Sequence, residues 1–273
     1  MPTRTVTQEW IVMAYPTLTE LATFVIVLAI GVPSVYLASK TLKLRSEAIA
    51  FSEKRKEAIS SLIVFTGVVA ATFGIFAFYD KIWIRPNLEA DMLYVLRDAL
   101  WIVLILLPVA TALRRTRQTL GSIGIIRSNL KKNLALGILT SAVLIAAFSF
   151  LAPFLGAGFV GLSIPMIYLL MSCIVIGFGE EIVFRGYIQT RLTAYGGAVA
   201  GIITTSLLFV LYNFPMGYFC FSGDILLSLL FALWRLSPGL VYAYAFHRSQ
   251  NLLPSSILHA FLVWGGFLFG LYL

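Results

Sequence analysis

Two adjacent carboxylates close an apolar stretch in Gly177-Phe178-Gly179-Glu180-Glu181-Ile182-Val183-Phe184-Arg185-Gly186. Glu181 and Arg185 stand four residues apart, so on a helix they share a face and neutralise each other. Glu180 is rotated by about 100° onto another face and has no partner close in sequence. A carboxyl group placed this way in apolar surroundings suits a general base acting on water. The plainer reading is an ion pair that marks a membrane boundary. His259, in Ser255-Ser256-Ile257-Leu258-His259-Ala260, is the second signal. It lies about two turns inside the last apolar segment and faces no local acid, so it reads as a proton-handling group or a packing residue. Cys173 lies seven residues before Glu180 and shares its face. With no histidine near it in sequence, small apolar packing is the preferred reading. His247, beside Arg248, reads as a solvated loop residue. With only Cys173 and Cys220 in the chain, neither a disulfide scaffold nor a cysteine zinc cluster is available.

These residues must be positioned by membrane-spanning helices. Of the 273 residues, 60% are hydrophobic and 12% charged. A soluble domain is nearer ~25% charged, and a disordered chain needs the opposite balance, so the bilayer is the expected solvent. A span takes ~20 apolar residues. Segments near 18–38, 59–79, 93–113, 134–155, 159–180 and onward, 197–214, 225–246 and 253–272 meet that test. The expected fold is therefore an all-α polytopic membrane protein with about eight transmembrane helices. Arg97 and Asp98 make the third segment the least clean. Met1 to Pro16 is polar and mixed and does not read as a cleavable signal peptide.

The net charge of +8 comes largely from two inter-helix loops. One carries Lys40, Lys43, Arg45, Lys54, Arg55 and Lys56. The other carries Arg114, Arg115, Arg117, Arg127, Lys131 and Lys132. Alternation of spans puts both on one side, with Arg185, Arg191, His247 and Arg248. The other side holds Arg4, Lys81 and Arg85. This is the positive-inside pattern, with both termini non-cytoplasmic and membrane lipids as the partners of the basic loops. No aromatic-interleaved basic motif accompanies them, so nucleic acid is not an expected partner. The loop 114–133 suggests a division into an N-terminal three-helix region, 1–119, and a C-terminal five-helix region, 120–273.

At the glutamate pair the sequence resembles a known family. Glu180-Glu181-x-x-x-Arg185 within G-E-E-I-V-F-R-G-Y-I-Q is similar to the first motif of the CPBP intramembrane proteins. These are the type II CAAX prenyl endopeptidases and bacteriocin-processing relatives. Phe209-Val210-Leu211-Tyr212-Asn213 stands where the family has F-x-x-x-H, and Leu253-Pro254-Ser255-Ser256-Ile257-Leu258-His259-Ala260 resembles its final histidine motif. The likeness covers roughly residues 120–270. It implies a helical membrane fold with a polar cavity opening to the cytoplasmic side. It also implies an endopeptidase acting on membrane-associated or prenylated peptides, cut after the modified cysteine. In the family the first glutamate and the motif-two histidine activate water, and the last histidine, with an asparagine four residues later, binds the oxyanion. Both a metal-free and a metal-dependent hydrolysis have been proposed there. The implied catalytic set is Glu180, Glu181, Asn213 and His259, supported by Arg185.

Two positions depart from the pattern, since Asn213 replaces histidine and Val263 replaces asparagine. Phe231-Ala232-Leu233-Trp234-Arg235 has a similar look to motif two but ends in arginine. Asn213 is a poor proton acceptor, and losing a general base costs ~10²–10⁴ in rate. No cofactor is expected. A zinc ion would have only Glu180, Glu181 and His259 as ligands. Two further classes therefore stand beside a protease of weak or altered activity. One is a catalytically degenerate member that binds a hydrophobic or lipidated peptide as scaffold, chaperone or immunity protein. The other is a small transporter, although no inverted repeat is visible. The site also sets a condition on the fold. If the fifth helix runs to about Tyr195 before Gly196-Gly197 turns the chain, Glu180 and Asn213 lie ~22 and ~27 Å from the turn and can meet. If it ends near Arg185, they cannot.

Overall fold

The computed structural model describes residues 18–44, 49–82 and 92–271. The polar stretch 1–16, Arg45 and Arg85 lie outside them. Among the described residues the chain is helical and contains no strand. The helices are α1 (Leu18–Thr41), α2 (Lys54–Ile82), α3 (Met92–Thr116), α4 (Leu130–Leu151), α5 (Ile164–Glu181), α6 (Thr190–Cys220), α7 (Ile225–Trp234), α8 (Leu236–Ser249) and α9 (Leu252–Leu268). Among the described residues, six stretches are long and apolar enough to cross a membrane. One of them, the 57-residue run Ile164–Cys220, contains two legs, and α9 is shorter than a full span at 17 residues. The eight apolar segments of the sequence are thus all present, as an all-α polytopic membrane protein.

The condition set by the site is met. Helix α5 continues through a π-helical stretch, Ile182–Gln189, into the start of α6. The rod breaks only at Gly197, whose φ of 85° is open to glycine and strained for other residues. The outgoing leg then packs tightly on the incoming one. A Cβ on Gly201 would lie 2.8 Å from the Thr193 Cα, so only glycine fits that approach. Bringing the chain back antiparallel to α5 returns residues 205–213 to the level of the glutamate pair.

Two hydrophobic clusters hold the bundle. The first joins α2, α3, the π-helical stretch and α6 through residues such as Val68, Ile105, Phe184, Phe209 and Tyr212. The second joins α1, α4, α8 and α9 through Val35, Leu144, Val241, Tyr242 and Leu258. In sequence terms, α1 packs on α4 and α8, α2 on α6, and α3 on α5. The ends of the helices near the site are capped. The Ser163 side chain accepts from the Met166 N–H at the start of α5, and Asn251 accepts from the Leu253 N–H at the start of α9. The Asn251 amide also donates to the Ile126 carbonyl at 2.8 Å, which ties α9 to the segment before α4.

Arg97, Arg185 and Arg191, three charges inside apolar runs, are met by acidic partners. Arg97 pairs with Asp98 at 2.8 Å, and the Ser172 hydroxyl donates to the same carboxylate. This explains how α3 tolerates the pair that made its sequence the least clean. Arg185 and Arg191, counted from sequence on a cytoplasmic connection, are instead helical and fully buried. Arg191 bonds Glu57 at 3.0 Å, the Tyr187 carbonyl at 3.0 Å and the Gln118 side-chain oxygen. It thereby clamps the start of α2 and the 117–120 segment to the rod. His247 lies in the last turn of α8, half-buried, rather than in a loop. Cys173 is buried and Cys220 exposed, and both are free thiols.

Candidate functional site

The site lies at the seam between the two hydrophobic clusters, where α5, α6, α8 and α9 meet. Its centre is His259, which is 5% exposed. The ring sits between the two carboxylates. Nδ1 is 3.1 Å from Glu181 Oε1, within hydrogen-bond distance, and Nε2 is 3.6 Å from Glu180 Oε2. Neither Glu180 nor His259 has a partner close in sequence, and the fold supplies distant ones: Tyr212 and His259 face Glu180, and His259 faces both acids.

Each carboxylate has a different environment. Glu181 is fully buried and meets Arg185 Nη1 at 2.9 Å, as the i,i+4 spacing predicts. Arg185, also fully buried, donates from Nη2 to the Gly239 carbonyl at 2.9 Å and lies 4.7 Å from the Phe209 ring. The absence of a side chain at position 239 matters here, since a Cβ would sit 3.7 Å from Nη2 and 3.3 Å from Phe209. Glu181 is therefore held by a permanent cation. It accepts from the Nδ1–H of His259 in the tautomer that such an anion favours. Glu180 instead accepts a hydrogen bond from the Tyr212 hydroxyl at 3.1 Å. It has no arginine within ion-pairing distance among the described residues, so it is the freer of the two.

Aromatic rings fix these groups. Tyr242 stacks on His259 with centroids 4.5 Å apart and planes 19° apart, and Phe209 meets the same imidazole edge-on at 6.0 Å. Tyr212 is gripped by Trp101 at 6.2 Å and Phe184 at 4.9 Å. Gly177 brings α5 against α9, where an added Cβ would lie 3.1 Å from the Ala260 N. That approach places the helix bearing the glutamates directly beside the histidine.

Sequence reasoning picked Glu180, Glu181, Arg185 and His259, and the structure brings these four together. Asn213 is buried, and its amide donates to the Phe209 carbonyl one turn back at 2.8 Å. The residue of that segment that bonds Glu180 is its neighbour Tyr212. Tyr212, Tyr242 and the Gly239 carbonyl were missed. They lie in apolar-looking runs, and only the position of Tyr212 beside Asn213 hinted at a role. The arrangement of a buried anion on one imidazole nitrogen, with the other nitrogen turned toward a reacting group, orients histidine for proton transfer in hydrolases. Among the described residues, no group of three or more His, Cys, Asp or Glu side chains is arranged to hold a metal ion.

The comparisons agree with the motifs. Residues 162–265 match the family model described as type II CAAX prenyl endopeptidase Rce1-like. No curated protein matches the chain. The matched stretch runs from just before α5 into α9 and contains every residue of the cluster. It lends this part of the chain a CAAX-type intramembrane protease fold, with α1 to α4 outside the match.

Proposed function

We propose that the chain is an intramembrane endopeptidase that hydrolyses a peptide bond of a membrane-associated or prenylated peptide. The observation that carries the reading is the placement of His259 between Glu180 and Glu181. Nε2 and Glu180 Oε2 stand 3.6 Å apart, too far for a direct hydrogen bond and close enough to share one bridging water. In this reading Glu180 takes a proton from that water as it attacks the scissile carbonyl. Glu181 holds His259 through Nδ1–H, and Nε2, unprotonated in that tautomer, takes the proton from Glu180 and passes it to the leaving amine as the C–N bond breaks. Tyr212 aims the Glu180 carboxyl, and Arg185 holds the Glu181 side chain in place through their ion pair. The role of the family's motif-two histidine falls on His259, and Asn213 keeps a positioning part through its neighbour Tyr212. The site opens toward the cytoplasmic side, where the two basic loops gather at anionic lipid.

The departures at Asn213 and Val263 favour a second reading, a degenerate member that binds a lipidated peptide without cutting it. Asn213 uses an amide N–H on the Phe209 carbonyl, and an amide has no basic nitrogen with which to take a proton from water. One assay separates the two. The protein in detergent is offered a fluorogenic farnesylated C-terminal peptide, alongside Glu180→Ala and Asn213→His. Cleavage that Glu180→Ala abolishes is the expected result. Peptide binding without turnover by the wild type, with turnover gained in Asn213→His plus Val263→Asn, overturns the enzyme reading in favour of the binder.

A further inference from the structure

Arg97, Arg185 and Arg191 each meet a carboxylate inside the bundle. Arg235 does not: among the described residues it has no acidic group within 4 Å. It stands at the junction of α7 and α8, near the middle of the apolar run Ile225–Ser249. Its Nε is buried with no hydrogen-bond partner, and the guanidinium lies 4.9 Å from the Phe231 ring. A cation at that depth is costly unless an anion meets it, and such residues mark functional positions.

Its place on the helix points to the anion. Arg235, Gly239 and Tyr242 follow at i, i+4 and i+7, which is one stripe of a helix. Gly239 receives Arg185 and Tyr242 stacks on His259, so this stripe forms a wall of the site. Arg235 lies one turn, about 5.4 Å, further along that wall. Glu180 and Cys173 of α5 are near enough to feel its charge. Tyr242, stacked on His259, stands seven residues or about 10.5 Å from Arg235 along the helix, and an extended peptide advances about 3.3–3.6 Å per residue, so a chain end three residues past a scissile bond at the level of His259 comes to Arg235. A guanidinium fork matches a carboxylate with two parallel hydrogen bonds.

We infer that Arg235 binds the C-terminal carboxylate of the peptide substrate and so restricts the site to peptides that end shortly after the scissile bond. The inference rests on the hydrolase reading for the direction of the peptide. It needs only binding for its test. A prenylated peptide is prepared as the free acid and as the C-terminal amide. Binding of each to the full-length protein in detergent is measured by fluorescence anisotropy for wild type, Arg235→Lys and Arg235→Met. The wild type is expected to favour the free acid by about 10-fold or more. Arg235→Met should erase that preference, and Arg235→Lys should keep part of it. A wild type that binds both peptides equally overturns the inference without recourse to any variant. So does an Arg235→Met protein that keeps the preference. Arg235→Met with an unchanged preference but an equal loss of kcat on both peptides would assign the cation to the oxyanion instead. Retained preference with no cleavage by wild type overturns the hydrolase reading and leaves the carboxylate site standing.

Discussion

The Glu181–Arg185 pair separates stability from chemistry. Both side chains are fully buried, 2.9 Å apart. Replacing Arg185 by Met leaves Glu181 as a buried charge whose remaining polar contact is the His259 ring. Breaking a buried pair on one side costs about 3–5 kcal/mol. The Gly239 carbonyl also loses its donor. At about 2–4 °C per kcal/mol, Arg185→Met should lower the unfolding midpoint by about 6–20 °C. Glu181→Leu together with Arg185→Met removes both charges, and such apolar replacements are often neutral. The double variant should recover most of the midpoint yet remain inactive, because the His259 Nδ1–H has lost the acceptor that orients its ring. The assay is thermal unfolding in detergent, followed by tryptophan fluorescence, with peptide turnover measured on the same samples. A double variant as unstable as Arg185→Met would refute the charge-burial argument. A stable double variant with wild-type turnover would refute the role of Glu181 as the group that orients His259.

Two further perturbations test neighbouring contacts. Tyr212→Phe removes the hydroxyl that bonds Glu180 and should lower kcat about 10-fold or more while leaving KM within about twofold, since a misaimed catalytic group slows chemistry rather than binding; unchanged kcat would show that Tyr212 is packing alone. Gly179→Ala would put a Cβ 2.3 Å from Ile102 Cγ2 and should cost about 1–3 kcal/mol of stability by overpacking. Because Ile102→Ala opens that space, the double variant should lose less than the two single losses together, by about 0.5–3 kcal/mol in unfolding measurements; simple additivity would show that α3 and α5 do not press together at Gly179.

The sequence alone determined the solvent, the helices and half of the site. Charge scarcity and ~20-residue apolar runs are local properties, so they survive without a structure. The Glu181–Arg185 pair was equally legible, because i,i+4 contacts follow from helix geometry. Gly196-Gly197 marked the turn, since glycine adopts backbone angles that other residues avoid. The rest depended on how distant segments meet. His259 lies 78 residues from Glu181, and nothing in a helical period says which nitrogen faces which carboxylate. Tyr212 and Tyr242 sit in runs that read as lipid-facing or packing, and only the return of α6 and α8 past α5 turned their polar ends toward the site. Arg235 looked like a flawed motif until Gly239 and Tyr242 on its stripe were found against Arg185 and His259. The rotation of each helix about its axis is set by packing against its neighbours, and in an apolar chain that rotation decides which of the few polar groups meet.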